Sequence, residues 1–150
     1  MPTIIDQLEA TRGATLAYFE LPAESLDQTY GAGKWSIRYI LHHLADAETV
    51  LYERIRRTIS RPGQQVAGFD QDAWARELSY ATKPLALSRA IYTSCREGII
   101  HLAQSHYEGS ASKSYFHSDD GERTLQAGFD KVVWHNQRHL DQIKKALQQG

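Results

Sequence analysis

The sequence predicts an all-α protein, a single domain over residues 1–150 folded as a four-helix bundle. Four segments of roughly 18 to 25 residues repeat apolar side chains at helical spacing, so each would carry one apolar face that another helix must cover. Strong alternating strand patterns are missing between them. The length of 150 residues is that of one domain, enough to bury a full core. We therefore expect a bundle with a long connector between the second and third helices and a short hairpin or loop before the fourth.

The first two helices have clear start and stop signals. The apolar pattern predicts a first helix over residues 3–20, which Pro22 ends because proline cannot continue a helix. Ser36 is a good N-cap residue directly before the next apolar run. We therefore predict that the second helix begins at Ser36 and ends near Ser60, where Pro62 breaks the pattern.

The third helix follows a long connector. Residues 64–82 join it to the second helix and contain one short amphipathic piece at 70–78. Pro84 suits the first turn of a helix, and the apolar pattern after it predicts a helix that ends near Tyr107. Because the connector is long, the sequence does not establish a strict up-down-up-down order of the helices.

A short β-prone segment precedes the fourth helix. Residues 114–124 contain the pair Asp120-Gly121, which is typical of a tight turn between two strands. We predict a small hairpin or tight loop there. The apolar pattern then predicts a fourth helix over residues 125–148.

Composition and charge exclude several classes of protein. The 17 basic and 18 acidic residues give a formal net charge of −1, which excludes nucleic-acid binding driven by bulk charge. Cys95 is the only cysteine, so an internal disulfide and a thiolate-rich zinc site are both excluded, and we expect a packed thiol. The chain shows neither a signal peptide at its start nor an apolar run of about 18 residues, from which we expect a cytoplasmic protein with no membrane partner.

Seven histidines accompany that single cysteine, so metal binding by this chain would use imidazole nitrogens. At about 100° per residue, His43 falls at the margin of the apolar stripe of the second helix, where a side chain can point into the seam between two helices. His42 falls almost opposite the stripe and is predicted to face solvent. His135 and His139 lie four residues apart and share one face of the fourth helix, and Gln142 extends the same line.

These residues favour a metal site without establishing one. Two imidazoles four residues apart can bind one metal ion, or they can form part of a polar stripe at the edge of the core. A third imidazole at the margin of a facing helix favours the metal ion. Three neutral histidine ligands would leave one tetrahedral position open for water or substrate, as in catalytic rather than structural sites.

Beyond these ligands, Asp46 and Gln142 are the candidate catalytic residues. Asp46, one turn after His43, could orient its ring N–H or be a solvated acid, and of the two we favour the solvated acid. Gln142 and Tyr39 are candidate polar groups of a pocket, and His117 in the predicted hairpin is a candidate substrate contact. The three tryptophans are predicted to lie in the core or at helix junctions.

Two segments of the chain resemble a known family. Residues 33–46, which end in His-His-Leu-Ala-Asp, and residues 133–143, which contain Trp-His-Asn-Gln-Arg-His, are similar to the two signature segments of the DinB-like superfamily. The resemblance is closest to its YfiT-like branch, whose members are named metal-dependent hydrolases by analogy and which includes the bacillithiol S-transferase. Residues 69–74 and 115–117 also resemble that branch, so the likeness covers most of the chain from residue 30 onward.

The resemblance implies a four-helix bundle in which His43, His135 and His139 bind one divalent metal ion, zinc or nickel. Relatives include thiol S-transferases and a mycothiol-dependent isomerase, in which the metal lowers the pKa of a low-molecular-weight thiol, and homodimers are common. These relatives imply that the chain is an enzyme acting on a small-molecule substrate. The reaction would be either transfer of a thiol to an electrophile or hydrolysis by water. The alternative is a non-catalytic metal-binding bundle that binds a small molecule or a protein partner. Structural zinc usually has four protein ligands, so a site with three favours the enzyme.

Overall fold

The order of the elements follows the predicted pattern of four long helices. A computed structural model describes residues 1–149. Its helices are α1 (Ile4–Tyr18), α2 (Ala23–Leu26), α3 (Ile37–Ser60), α4 (Gln71–Glu77), α5 (Leu85–His106) and α6 (Leu125–Gln149). The strands are β1 (Gln65–Val66), β2 (Ser114–His117) and β3 (Gly121–Thr124), and a 3₁₀ turn covers Ser110–Ser112. The predicted four-helix bundle is confirmed, with α1, α3, α5 and α6 as its long helices. Over residues 1–149 no helix is long and apolar enough to cross a bilayer.

Local capping signals in the sequence set the starts of the helices. The side chain of Thr3 accepts from the backbone N–H of Asp6, and the Asp6 carboxylate accepts from the backbone N–H of Thr3. Ser36 accepts from the backbone N–H of Tyr39 at 3.2 Å, so α3 begins where the sequence predicts. Asp70 caps the short α4 inside the connector in the same way.

Helix α3 lies at the centre of the bundle. It packs against α5 and α6, and α1 also packs against both of these helices. One cluster of buried side chains contains Ile37, Ile40, Leu41, Leu44, Tyr92 and Ile143, and a second contains Leu51, Ile55, Ile99, Phe129 and Val132. All residues from 40 to 48 are buried, so this part of α3 is covered on every face.

Two predicted placements are wrong. His42 is 0% exposed, with Nδ1 2.6 Å from Oγ of Ser88 and its ring packed against that of Tyr80, because the connector after α4 covers the polar face of α3. Burial lowers the pKa of His42 to about 4, so the ring is neutral at pH 7. Trp134 is 59% exposed on α6, with the Arg138 guanidinium over its ring, and lies outside the core.

A buried ion pair joins α3 to α5 in the middle of the bundle. The guanidinium of Arg96 donates to both carboxylate oxygens of Glu48, from Nε at 2.8 Å and from Nη2 at 2.9 Å. Its Nη1 donates to the carbonyl of Leu8 at 2.9 Å and to the hydroxyl of Thr11 at 2.8 Å. Burial raises the pKa of Glu48, and the bonds from Arg96 oppose that shift. The two parallel bonds are the geometry of a charged arginine–carboxylate pair.

Asn136 extends this network to α6. Its Oδ1 accepts from Nη2 of Arg96 at 2.7 Å and from the hydroxyl of Tyr92 at 2.6 Å, and its Nδ2 donates to the hydroxyl of Thr15 at 2.9 Å. All four long helices are thus joined by one set of buried hydrogen bonds. Since Asn136 follows His135 directly, the network also fixes α6 against α3 at the level of the candidate ligands.

The predicted hairpin before the fourth helix is present as part of a three-stranded sheet. Strands β2 and β3 pair antiparallel, and Gly121, the first residue of β3, has a φ of 78°, a left-handed conformation that glycine adopts without steric cost. Strand β1 from the connector pairs parallel with β2, Gln65 opposite Phe116, which the sequence did not predict. This pairing ties the connector to the hairpin and brings Gly68 so close that a Cβ there would lie 3.3 Å from the His117 ring.

Candidate metal site

Three histidine side chains from two helices meet between α3 and α6. His43 comes from α3, and His135 and His139 come from α6; together they form the three-histidine cluster. One ring nitrogen of each lies within 4.8 Å of the other two, and the Nε2 atoms of His43 and His135 are 3.0 Å apart. Donor atoms bound to a tetrahedral zinc ion at about 2.0–2.1 Å lie about 3.3 Å from one another. The spacing of the rings therefore fits the binding of a single ion.

Aromatic side chains close one side of the three-histidine cluster. The ring centroid of Trp35 lies 5.1 Å from that of His43, and the ring of Phe69 stacks on His43 at 6.1 Å. Phe69 is held in turn by Trp74 of α4, at a centroid distance of 4.5 Å. The segments before α3 and α4 thus shield His43, which is 1% exposed. In such a dry environment a nitrogen lone pair interacts more strongly with a cation than it does in water.

Burial keeps the three imidazoles neutral. It is the main cause that lowers the pKa of His43 from 6.5 to about 2 and the pKa of His135 to about 3. Burial also lowers the pKa of His139, although the hydrogen bond to Gln142 opposes this shift. At pH 7 each ring therefore has a free nitrogen lone pair, which is the protonation state that metal binding requires.

The hydrogen-bond partners of the rings also fit a metal ion. Oε1 of Gln142 lies 2.7 Å from Nδ1 of His139. Because a carbonyl oxygen only accepts, Nδ1 carries the hydrogen and Nε2 keeps its lone pair. Nδ1 of His43 is buried without a partner among residues 1–149, and its Nε2 faces Nε2 of His135. Without a cation, one of the two Nε2 atoms would carry a hydrogen and donate it to the other. A cation between them would instead be bound by the lone pairs of both Nε2 atoms.

Asp46 and Tyr39 do not take the positions that the sequence suggested. Asp46 is 7% exposed, so it is not a solvated acid. Its carboxylate accepts from the hydroxyl of Tyr80 at 2.5 Å and lies 3.6 Å from Nζ of Lys83, and no hydrogen bond among the described residues joins it to His43. Tyr39 packs edge-on against Tyr80 and lines neither of the two cavities beside the cluster. Both side chains therefore belong to the packing of the connector on α3.

Two cavities of about 290 Å³ each open on the three-histidine cluster. The lining of the first cavity includes His43, Leu51, Arg54, His117, Lys131 and His135. The lining of the second includes Trp35, Gln71, His135, Arg138, His139 and Gln142. Each volume is near the lower end of the range for small-molecule pockets. Small molecules can therefore reach the imidazoles from two directions.

The first cavity is lined by two basic residues that the sequence patterns did not single out. Arg54 follows His43 by three helical turns on α3, and Lys131 precedes His135 by one turn on α6. Residues at these spacings share a helix face. Helical phase, applied to charged residues as well as to histidines, would have identified both.

His117 lines the first cavity in a defined tautomer. Its Nδ1 accepts from the backbone N–H of Asp119 at 3.0 Å and of Asp120 at 3.2 Å, so the hydrogen of the neutral ring is on Nε2. Burial is the main cause that lowers the pKa of His117. His117 lies in the wall of the first cavity, and its contact with a substrate stays a prediction.

Comparisons with known sequences agree on one family. The family model of the DinB superfamily matches residues 7–143 of the chain. Relatives carry the name "Putative metal-dependent hydrolase". One from Oceanobacillus iheyensis is 32% identical over 124 residues, which cover 83% of this chain and 71% of that protein. Another, from Bacillus licheniformis, is 31% identical over 126 residues, covering 83% and 72% of the two chains.

A solved structure has the same fold. It is YfiT from Bacillus subtilis, described as "a probable metal-dependent hydrolase with an unusual four-helix bundle topology". It superposes with a TM-score of 0.88, covering 97% of this chain and 85% of that one. The sequence identity is 22%, so this likeness shows the fold alone. The fold and the resemblance predicted from the two signature segments are both confirmed.

Proposed function

The chain belongs to the DinB superfamily, and on this basis we propose that it is an enzyme in which His43, His135 and His139 together bind one divalent metal ion. The observation that carries the proposal is the meeting of three neutral imidazoles, two buried and one half-buried, with ring nitrogens within 4.8 Å, beside two cavities. Relatives named for metal-dependent hydrolysis support both the metal ion and the general class of reaction. Three protein ligands leave a position on the ion for a substrate.

We propose zinc or nickel as the metal ion. Imidazole nitrogen is a good ligand for both ions. Calcium and magnesium prefer carboxylate and carbonyl oxygens, and the three-histidine cluster offers only nitrogen donors. Metal content measured after expression in media with each ion in excess would decide between the two.

The protein's own residues would orient and shield the reacting groups. A divalent ion in such a site supplies a water or a thiol that is deprotonated near neutral pH. Gln142 holds the ring of His139 in one tautomer, and Trp35 and Phe69 exclude water from one side of the cluster. The Nε2–H of His117 could donate a hydrogen bond to a substrate oxygen in the first cavity.

We propose transfer of a low-molecular-weight thiol to a small electrophile ahead of hydrolysis. Two cavities beside one cluster offer separate places for two substrates, whereas hydrolysis needs a place for only one organic molecule. Cys95 lines neither cavity, and burial raises the pKa of its thiol, so it is a poor nucleophile. The thiol would therefore arrive as a substrate. Hydrolysis of an ester or amide is the second candidate, and the names of the relatives favour it.

A non-catalytic metal-binding bundle remains the alternative class, in which the same cluster would bind a small molecule or a protein partner without turnover. The two cavities that reach the imidazoles favour the enzyme. Assembly as a homodimer stays a prediction from the resemblance, and a location in the cytoplasm stays a prediction from the sequence. Light scattering coupled to gel filtration tests the homodimer.

Replacement of a single ligand tests the metal site. We expect the purified protein to contain about one metal ion per chain and His139→Ala to lose it, because two imidazoles bind far more weakly than three. His101→Ala is the matched control, since His101 is exposed on α5. Elemental analysis by mass spectrometry measures the content. Full occupancy in His139→Ala would show that the ligand set is wrong.

Turnover is tested separately on protein with measured metal content. We expect conjugation of monochlorobimane with members of a panel of small thiols, and loss of this activity in His139→Ala. Hydrolysis of p-nitrophenyl acetate is measured in parallel. If a fully metal-loaded protein turned over neither the thiols nor the ester, this result would contradict the proposal that the protein is an enzyme and would favour the non-catalytic metal-binding bundle.

A further inference from the structure

Arg54 is a buried cation without an anionic partner. It is 5% exposed on α3 and lines the first cavity. Its contacts are the carbonyl of Ala67, 3.4 Å from Nη2, and the side chain of Tyr115, whose ring centroid is 6.0 Å from the guanidinium carbon and whose hydroxyl is a hydrogen-bond partner of the guanidinium. Among the residues that the structure describes, 1–149, no carboxylate forms an ion pair with it. A buried charge is costly unless a counter-charge or several hydrogen bonds compensate for its lost hydration.

A second cation lies in the same cavity. Lys131 on α6 is half-buried and lines this cavity together with Arg54. Its pKa is lowered chiefly by burial and next by the charge of Arg54, whereas the charge of Asp120 raises it. The acidic residues of this cavity, Asp119 and Asp120, are exposed, and Asp120 lies 3.7 Å from Nδ1 of His117. The first cavity is therefore lined by one buried and one half-buried cation, and its two acidic residues are exposed to solvent.

The cations and the three-histidine cluster lie along one cavity. Arg54 follows His43 by eleven residues on α3, which places their Cα atoms about 16 Å apart along the helix. Lys131 precedes His135 by one turn of α6. A molecule in this cavity would meet the imidazoles at one end and the cations at the other.

We propose that Arg54 and Lys131 form a carboxylate-binding subsite, and that the substrate of this site carries a carboxylate several bonds from its reacting atom. That the substrate reacts at the three-histidine cluster rests on the proposed function, whereas binding of a carboxylate by Arg54 and Lys131 requires no metal ion. A guanidinium can donate to both oxygens of a carboxylate at once. A single negative charge also suits the position, because Asp119 and Asp120 at the edge would repel the second charge of a phosphate group.

The test is an NMR titration of the full-length protein with sodium propionate at constant ionic strength. The probes are the side-chain ¹⁵Nε–¹Hε signal of Arg54 and the backbone amides that line the first cavity. We expect saturable shifts with propionate and none with propionamide, which has the same shape but no charge. Arg54→Leu should weaken propionate binding by about tenfold or more. Arg54→Lys should weaken it by less, because lysine keeps the positive charge but cannot donate to both carboxylate oxygens in the bidentate geometry of a guanidinium. Arg56→Leu is the matched control, since Arg56 is exposed on the same helix.

The outcomes separate this inference from the proposed function. His139→Ala should bind propionate as the wild type does, because the subsite excludes the cluster. Loss of binding in His139→Ala with normal binding in Arg54→Leu would place the carboxylate at the metal ion and overturn the subsite. Absence of saturable propionate shifts, or tighter binding of inorganic phosphate, would overturn it as well. If Arg54→Leu does not give a native spectrum, Arg54→Lys carries the comparison.

Discussion

Replacing Arg96 with methionine should leave the buried carboxylate of Glu48 without a counter-charge in the centre of the bundle. Glu48 is 2% exposed, and both of its oxygens accept from Arg96, at 2.8 and 2.9 Å. Breaking such a pair by removing one partner costs about 3–5 kcal/mol. The Leu8 carbonyl also loses a donor, although the Thr11 hydroxyl still donates to it at 3.3 Å, so we add no further cost for this acceptor. We therefore expect the free energy of unfolding to fall by about 4 kcal/mol.

This loss is large enough to measure in two ways. At about 2–4 °C per kcal/mol for a domain of this size, 4 kcal/mol lowers Tm by about 8–16 °C. Urea unfolding followed by far-UV circular dichroism at 25 °C gives the free energy directly. Arg89→Met is the matched control on the same helix, because the Arg89 side chain is 48% exposed and its pair with Glu20 is open to solvent. We expect it to change stability by no more than about 0.5 kcal/mol.

The variant should also show an unusual dependence on pH. Burial raises the pKa of Glu48, and Arg96→Met removes the charge that opposes this shift. The folded variant then holds a proton more tightly than the unfolded chain does, so its stability should rise as the pH falls from 7 to 5. The wild type should show less of this rise, because its carboxylate keeps a counter-charge.

Two results would refute this reasoning. One is a loss of less than about 1 kcal/mol in Arg96→Met, below the range for breaking a buried pair. The other is a stability of the variant that does not change between pH 7 and pH 5. The double variant Glu48→Met/Arg96→Met separates the causes, because it removes the stranded charge and should recover part of the loss. A double variant as unstable as Arg96→Met would assign the loss to the bonds with Leu8 and Asn136.

Two further predictions concern the metal site and the packing of α5. Gln142→Leu should weaken metal binding by about 10- to 100-fold, because Nδ1 of His139 loses its acceptor, whereas Gln142→Glu keeps an acceptor and should not weaken it. Competition with a chromophoric chelator measures the metal affinity of both variants. Equal affinities of Gln142→Leu and the wild type would contradict the role of Gln142 in orienting His139. Gly98→Ala should destabilise the protein by about 1–3 kcal/mol in urea unfolding, because its Cβ would lie 2.5 Å from Cζ of Tyr52 and overpacking outweighs a gain in helix propensity of about 1 kcal/mol. A more stable Gly98→Ala would show that the Tyr52 ring moves aside freely.

Features of the fold that depend on local sequence could be predicted, and those that depend on distant pairing could not. Ser36 caps α3 through a bond to a residue three positions away, so the start of this helix is visible in the sequence. The pair Asp120-Gly121 likewise marks the turn of the hairpin. Strand β1 is different, because Gln65 pairs with Phe116, far along the chain, and its two residues carry no periodicity of their own.

Helical phase predicted the candidate site only in part, for a physical reason. The method assumes one buried face, and α3 is buried on every face from residue 40 to residue 48. His43 at the margin of the stripe does meet the other rings, but His42 is equally buried against Ser88 and Tyr80. Phase ranks the positions on a helix by their distance from the core. It cannot show that a connector will cover the opposite face.

The two buried arginines, Arg54 and Arg96, test whether a buried charge must be compensated by a counter-charge or by hydrogen bonds. Arg96 has both oxygens of Glu48, and the cost of burying its charge is compensated within the chain. Arg54 is 5% exposed, and its contacts are neutral groups, the Ala67 carbonyl and the Tyr115 side chain. If burial of a charge is tolerated only with compensation, Arg96→Met must destabilise the protein, whereas Arg54→Leu should leave Tm unchanged or raise it. A loss of stability in Arg54→Leu as large as in Arg96→Met would mean that Arg54 already has its partners within the chain, and the case for a carboxylate in the first cavity would fail.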